Sequence, residues 1–157
     1  MIETRKVFKV AIAAATDIAE IARVYTKCYR EMLTNYKLCD HPSYDIGAQN
    51  YIRSLLSSPA NHAYLLVCDE KIVGALIYTL DFIHPLLLQK ECFIWDIFIL
   101  PEYRKTRATW TMWQHMVSTA KAHKCARLRG TTQNPEMIDY LNRGGGRVDG
   151  YIYAKEL

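Results

Sequence analysis

The sequence predicts an α/β protein with a mixed, mostly antiparallel sheet flanked by helices. Apolar runs typical of strands alternate with amphipathic helical stretches over the 157 residues, in the order β-α-α-β-β-β-α-β-α-β. Two early strands are joined by a short polar turn, which indicates an antiparallel hairpin. The later strands alternate with helices, which favours a parallel connection. No linker, repeat or low-complexity segment divides the chain, so we expect one domain over residues 1–157.

The first third of the chain predicts one strand and two helices. Residues 7–13 form the strand, and Asp17 with Glu20 three residues later has the spacing of a helix capping box. Residues 34–44 contain turn formers and predict a loop, and a second helix spans about 46–56. The apolar face of the first helix has helical spacing and comprises Ile18, Ile21, Ala22, Tyr25, Cys28, Tyr29 and Met32.

The middle of the chain predicts three strands. Residues 63–68 and 72–80 form the hairpin, and residues 92–100, with the sequence CFIWDIFIL, form the most apolar strand. A strand this apolar fits the centre of a sheet, where both faces are covered. A loop over residues 82–90 precedes it and Pro101 ends it.

The last third predicts a helix, a strand, a helix and a strand. The first of these helices spans residues 109–123 and is followed by a short strand at 126–130. Asn134 precedes a proline, so it is suited to cap the second helix, which ends at the glycines 144–146. Residues 148–154 form the last strand.

Composition excludes several classes of protein. Half the residues are hydrophobic and 23% are charged, which is neither a disordered nor a fibrous composition. The net charge of +4 suits an anionic ligand without requiring nucleic acid. No apolar run is long enough to span a membrane and the N-terminus lacks a signal-peptide core, so we expect a soluble, cytoplasmic protein.

The cysteines and histidines predict no disulfide framework and no metal site. The five cysteines are an odd number without a C-x-x-C pair, which favours reduced, mostly buried thiols in a reducing compartment. The five histidines lack the spacing of metal ligands.

One loop has the composition of an anion-binding site. It spans residues 100–109, between the most apolar strand and the following helix. The first N–H groups of a helix have no partner within the helix, and the helix dipole adds positive potential there. Positive charges and hydroxyl groups in the loop come from Arg104, Lys105, Thr106, Arg107 and Thr109. The loop therefore predicts a phosphate or pyrophosphate site, and the alternative is a solvated basic turn.

From this loop to the end of the chain, the sequence resembles the GNAT superfamily of acetyl-CoA-dependent N-acetyltransferases. The residues that carry the resemblance are Pro-Glu-Tyr-Arg at 101–104, the motif register at 104–109, Asn134, the segment 140–146 and the final segment 150–157. The R-x-x-R-A loop is similar to that of bacterial and phage members of the superfamily. In element order the resemblance covers nearly the whole chain, and its motifs cover residues 96–157.

The resemblance implies acetyl-CoA as cosubstrate, no metal, and a primary amine on a small molecule or protein as acceptor. It implies that the pantetheine arm pairs with the backbone of the strand 92–100 where that strand splays from 126–131, and that the pyrophosphate lies on the loop. Asn134 either contacts the cosubstrate or only caps its helix. The implied cofactor-binding residues are Ile97, Phe98, Ile99, Arg104, Lys105, Thr106, Arg107, Ala108, Thr109 and Asn134.

Three side chains are candidates for the catalytic chemistry. Asp96 lies inside an apolar strand, where desolvation would raise its pKa, and we expect it to be the general base unless it only makes a structural hydrogen bond. Glu91 is the second candidate, with a solvated strand end as its alternative role. Tyr140 is the candidate acid for the departing thiolate, with core packing as its alternative role.

The sequence departs from the family pattern at two places. Arg107 and Thr109 occupy the positions of the motif glycines, which let the backbone approach phosphates closely. Leu141 occupies the position where many members carry the tyrosine that protonates the thiolate. These departures favour a second hypothesis, a non-catalytic GNAT-fold protein that serves in binding or as a virion or assembly component. Such a protein would be found in a host cytoplasm or a virion.

Two further features leave alternatives open. A nucleic-acid binder would use the basic residues at 104–107, 121, 124, 127 and 129, but the modest net charge argues against it. The loop at 82–88 is unusually apolar, and it folds back on the core, lines an acceptor pocket or forms a contact in a homodimer or larger assembly.

Overall fold

The computed structural model describes residues 6–32, 41–84, 86, 88–104, 106–130, 139 and 142–143. Its strands are β1 (Phe8–Ile12), β2 (Asn61–Cys68), β3 (Lys71–Ile83), β4 (Lys90–Ile99) and β5 (Arg127–Gly130). Its helices are α1 (Ile18–Met32), α2 (Tyr44–Ser57), α3 (Pro101–Arg104) and α4 (Ala108–Ala122), and a 3-10 turn, Ala15–Asp17, precedes α1. The predicted helix after Asn134 and the predicted strand at 148–154 lie outside the described residues.

The strands form one five-stranded sheet in the order β1-β2-β3-β4-β5. The first three pairs are antiparallel and the pair β4–β5 is parallel, which confirms the predicted mixed, mostly antiparallel sheet. The β2–β3 hairpin turns at Asp69 and Glu70, whose φ angles are 49° and 61°. Two consecutive residues with positive φ match the twist of a hairpin. The parallel pair needs a crossover connection, and α4 provides it.

Helices cover both faces of the sheet. α1 packs against β3 and β4 and α2 packs against β2 on one face, where Tyr25 meets Phe98 edge to face. α4 packs on the opposite face, where the hydroxyl groups of Tyr64 and Thr119 are 2.9 Å apart. The largest fully buried apolar side chains of the core are Ile21, Val24, Ile52, Leu66, Val73, Leu76, Ile77, Met112 and Met116.

A bulge in β4 determines which side chains reach the face covered by α1 and α2. Ile77 pairs with Asp96 and Tyr78 pairs with Ile94, so Trp95 is an extra residue in β4. A bulge places two successive residues against one on the partner strand and re-aims their side chains. Trp95 and Asp96 therefore both face the α1 and α2 side, where the indole Nε1 of Trp95 donates to Thr79 Oγ1 at 2.8 Å.

Three local expectations are corrected. Asp17 accepts a hydrogen bond from the Ala14 amide at 2.8 Å, while Glu20 binds Arg23, so the capping box predicted between Asp17 and Glu20 does not form. The loop after β4 contains the short helix α3, because a proline suits the first turn of a helix. In the loop before β4, the side chains at 86 and 88 are 86% and 79% exposed, so they do not fold back on the core.

Two global properties accompany the fold. None of the helices in the described ranges is long and apolar enough to cross a membrane. Among the described cysteines, Cys28 is buried, Cys68 and Cys92 are buried free thiols, and Cys125 is a half-buried free thiol.

Candidate active site

Asp96 is a buried carboxylate in the middle of the sheet. It is 9% exposed, and Tyr29 of α1 donates a hydrogen bond to its Oδ1 at 2.9 Å. Tyr51 of α2 and the backbone amide of Ile97 also interact with the carboxylate and lower its pKa. Burial outweighs these interactions and the Tyr29 hydrogen bond, and raises the pKa of Asp96 to about 6. The carboxylate therefore ionises close to neutral pH, as a general base requires.

A cluster of tyrosines surrounds this carboxylate. Tyr25 stacks on Tyr29 with ring centroids 4.3 Å apart, and it lies 5.3 Å from the Tyr51 ring. Burial, followed by the charge of Asp96, raises the pKa of Tyr29 well above its usual range and that of Tyr51 to about 12. Burial also raises the pKa of Tyr25, so all three phenols are neutral at physiological pH, and Tyr29 donates a hydrogen bond to the carboxylate.

Glu91, at the start of β4, is fully buried rather than solvated, so the expectation of a solvated strand end is wrong. Its Oε1 is 3.1 Å from Arg127 Nε, and its Oε2 is 3.8 Å from Arg129 Nη1. Among the described residues neither approach is aligned as a hydrogen bond. Glu91 is closed off from solvent and faces two guanidinium groups, so an acceptor amine has no access to its oxygens, which disfavours Glu91 as a base.

The basic residues considered for nucleic-acid binding do not lie on one face. Arg127 and Arg129 are paired in register with Glu91 and Phe93, on the face opposite α4. Lys121 lies in the last turn of α4, on the other side of the sheet. These three basic residues therefore lie on two different sides of the sheet.

The loop before α4 uses some of its predicted donors internally. Thr106 Oγ1 donates to the Tyr103 carbonyl at 2.6 Å and accepts from the Ala108 amide at 3.2 Å. Arg104 Nε donates to the Ile99 carbonyl at 2.8 Å, which ties the loop to the end of β4. Arg107 is exposed. The loop thus presents a guanidinium group and the amides of the first helical turn, whereas the Thr106 hydroxyl and the Ala108 amide stabilise the loop itself.

The first hydrogen bond of α4 runs from the Thr111 amide to the Arg107 carbonyl at 2.8 Å. The amides of Thr109 and Trp110 precede it, in the turn where a helix leaves its N–H groups without intrahelical partners. β4 ends beside this turn. Its parallel pairing with β5 ends at Ile94 and Gly130, so residues 95–99 of β4 extend past the described part of β5. The strand end, the loop and the helix N-terminus are therefore neighbours.

The sequence profile of the acetyltransferase (GNAT) family matches residues 18–145. The chain belongs to this family. A comparison with curated protein sequences gives no match.

Solved structures share the GNAT fold with this chain at low sequence identity. A ribosomal-protein-alanine N-acetyltransferase from Brucella melitensis biovar Abortus 2308 is 16% identical with a TM-score of 0.69, covering 96% of this chain and 100% of its own. An integron cassette protein from the mobile metagenome of V. cholerae is 19% identical with a TM-score of 0.73, covering 95% and 92%. A GNAT family acetyltransferase from Staphylococcus aureus is 14% identical with a TM-score of 0.68, covering 96% and 98%.

Several predicted site residues of this GNAT chain lie outside the described residues. They are Lys105 of the loop, Asn134, the candidate acid Tyr140 and Leu141. Asp96 directly precedes the predicted cosubstrate segment 97–99 of β4, whereas Glu91 lies six residues before it, at the start of the strand.

Sequence reasoning missed the tyrosine partners of Asp96. Tyr25 and Tyr29 were expected only as part of an apolar helix face, yet their i, i+4 spacing puts two phenols on the side that meets β4. The signal that would have found them is a tyrosine pair on a helix predicted to pack against a strand with a buried acid. The pairing of Arg127 and Arg129 with Glu91 depends on the β4–β5 register, which no local pattern specifies.

Proposed function

We propose that this GNAT chain transfers the acetyl group of acetyl-CoA to a primary amine, with Asp96 as the general base. The observation that carries the proposal is a carboxylate that is 9% exposed, has a pKa of about 6 and adjoins the strand segment 97–99. Family membership supports acetyl transfer in general, and the acceptor and cosubstrate are part of the proposal.

The reaction follows direct attack. The Asp96 carboxylate removes a proton from the acceptor ammonium, directly or through a water molecule, and the neutral amine attacks the thioester carbonyl. A C–N bond forms and the C–S bond breaks. The thiolate of coenzyme A leaves and takes up the second proton that the nitrogen loses. With a pKa of about 6, Asp96 is ionised and able to accept the proton at pH 7.

Acetyl-CoA is expected along the end of β4 and at the N-terminus of α4. Backbone groups of Ile97, Phe98 and Ile99 would pair with the pantetheine arm as an added strand does. The pyrophosphate would meet the Arg107 guanidinium, which is exposed, and the first amides of α4. Of the remaining loop residues, Arg104 would support the site by holding the Ile99 carbonyl.

The acceptor is a primary amine on either a small molecule or a protein. The name of the Brucella structure describes an enzyme that acts on a protein alanine, which supports testing peptide N-termini first. A cytoplasmic location is part of the proposal, because acetyl-CoA is an intracellular metabolite and the buried thiols Cys68 and Cys92 form no disulfide within the described residues.

Titration calorimetry with acetyl-CoA tests the cosubstrate site. We expect R107Q to weaken binding about tenfold with no loss of stability, because it removes a charged hydrogen-bond donor from an exposed position. R104Q should both weaken binding and lower the free energy of unfolding, since it also frees the Ile99 carbonyl. R23Q removes an exposed arginine from a different helix, α1, and is the control for the change in net charge. Unchanged affinity in R107Q would contradict the loop assignment.

A transfer assay with acetyl-CoA and a panel of peptide and small-molecule amines tests the chemistry. D96N should lower kcat at least a hundredfold, because a positioned base contributes about 10²- to 10⁴-fold. Binding of acetyl-CoA to D96N should remain unchanged. A kcat in D96N equal to that of the wild type would show that Asp96 is not the general base.

The second candidate is a GNAT-fold protein without catalysis. Two observations favour it: the buried Asp96 accepts a hydrogen bond from Tyr29, as a structural carboxylate does, and the Thr106 hydroxyl accepts from the Ala108 amide in the loop. This candidate predicts no acetyl-CoA binding by calorimetry and no transfer to any amine. Tight acetyl-CoA binding together with D96N-sensitive transfer excludes it.

A further inference from the structure

We propose that Arg127 and Arg129 of β5, which lie beside the aromatic side chains of β4, form a subsite for a carboxylate carried on an apolar group. Resting on the proposed function, the subsite makes the acceptor an amine that also bears a carboxylate. The subsite has three parts: an excess of positive charge among the described residues, a partly exposed aromatic surface beside it, and a fixed spacing from Asp96.

The charge arises because two guanidinium groups face one carboxylate. Glu91 is fully buried, and Arg127 and Arg129 approach it at 3.1 and 3.8 Å. The neighbouring Lys90 is balanced by Asp81 at 2.6 Å, so it does not change the count. Among the described residues these groups therefore carry one positive charge in excess, which matches a monoanion such as a carboxylate.

The guanidinium groups retain donors for this anion. Each carries five N–H groups, and Glu91 is approached by only one nitrogen of each. The side chains of Arg127 and Arg129 are 37% and 43% exposed, so solvent reaches them while Glu91 beneath them is closed off. A buried anion that fixes two half-exposed guanidinium groups orders them for an incoming carboxylate, which a fork of N–H donors binds in a bidentate manner.

An aromatic surface adjoins these arginines. Arg129 is paired in register with Phe93, whose ring lies 4.7 Å from the Trp95 ring and 5.3 Å from the Phe82 ring. Phe93 and Phe82 are half-buried and Trp95 is 39% exposed. Rings that remain partly exposed beside cations bind an apolar group that carries a negative charge.

The spacing links the subsite to the proposed chemistry. Phe93, level with Arg129, pairs with Thr79 of β3 and Asp96 pairs with Ile77, so the bulge shortens this span to two residues of β3, about 7 Å. The aromatic surface lies between the two positions, on the same face of the sheet. An acceptor amine at Asp96 and its carboxylate at Arg129 would be separated by about two residues of extended peptide, or an apolar chain of that length.

The test measures binding of 3-phenylpropionate and its neutral isostere 3-phenylpropanamide to the full chain by ligand-observed NMR, without acetyl-CoA. We expect the acid to bind wild type about tenfold more tightly than the amide, because a charged hydrogen bond is worth about this factor. R129Q should reduce this preference to less than about threefold, while R23Q, which removes another exposed and ion-paired arginine, should keep it.

Equal affinity for acid and amide in wild type, or full preference in R129Q, would overturn the subsite. If R129Q fails to fold, the wild-type salt dependence decides: rising NaCl must weaken binding of the acid and leave the amide unchanged, and a salt-independent acid overturns the proposal. The two proposals fail separately. Absent transfer to every amine contradicts the proposed function while carboxylate binding stands, and absent carboxylate binding contradicts the subsite while transfer stands.

Discussion

Replacing Asp96 by asparagine should stabilise the protein in a way that grows with pH. The folded-state pKa of Asp96 is about 6 against an ordinary value of 3.8, so the native state binds more protons between these values. Stability from this group is therefore present below pH 3.8 and is lost as pH rises through about 6. The shift corresponds to about 3 kcal/mol in total, of which about 2 kcal/mol is lost between pH 4.5 and 8.

Asparagine does not ionise, so the free energy of unfolding of D96N does not fall with pH through this position. Urea unfolding of wild type and D96N at pH 4.5, 6 and 8 measures the gap between their free energies of unfolding. We expect the gap to widen in favour of D96N by about 2 kcal/mol over this range. The loss of one acceptor oxygen shifts the gap by about 1 kcal/mol at every pH and does not alter its slope.

D45N is the matched control, because Asp45 is exposed and forms a surface ion pair with Arg30. Its gap to wild type should change by less than about 0.5 kcal/mol over the same range. A pH-independent gap for D96N would refute the reasoning, since it would mean that burial does not destabilise the ionised carboxylate. The same result would remove the physical basis for Asp96 as a base near neutral pH.

Two further predictions concern the surroundings of this carboxylate. Y29F removes a hydrogen bond that lowers the pKa of Asp96. The acidic limb of the pH profile of kcat/KM and the titration of the Asp96 carboxyl carbon followed by NMR should therefore both move up by about one pH unit. Curves that do not move would contradict this role for Tyr29. G74A should destabilise the protein by more than about 2 kcal/mol, because a Cβ there would lie 2.7 Å from the Phe98 carbonyl. G47A, in open space on α2, should stabilise it by about 0.5 to 1 kcal/mol, and urea unfolding that ranks these two variants otherwise would contradict the packing.

The sequence alone determined the element order of the described chain up to β5. Periodicity identified α1 and α4 because each carries an apolar face at helical spacing, and the polar turn at Asp69 and Glu70 identified the β2–β3 hairpin. These are local properties, which neighbouring residues decide. The same locality explains the errors. A segment that begins with proline can form either a loop or a short helix such as α3. The Asp17 carboxylate could accept from the amide of Ala14 or of Glu20, and it accepts from Ala14.

The candidate site was only half accessible to this reasoning. Asp96 was identifiable because a carboxylate inside an apolar strand has a desolvation cost wherever that strand packs. Its partners were not, because Tyr29 and Tyr51 lie 67 and 45 positions away in the chain and meet it only when two helices cover the sheet. The bulge at Trp95, which turns that indole to the same face as Asp96, is likewise a property of the β3–β4 register.

Glu91 shows the division most clearly. By sequence it is an acid at the end of a strand, where exposure is the ordinary outcome. The parallel pairing of β4 with β5 brings Arg127 beside it and buries it completely. Sequence determines which residues are apolar, charged or turn-forming within a few positions. Only tertiary structure decides which charges meet, because desolvation and Coulomb energies depend on distances that the chain sets by folding back on itself.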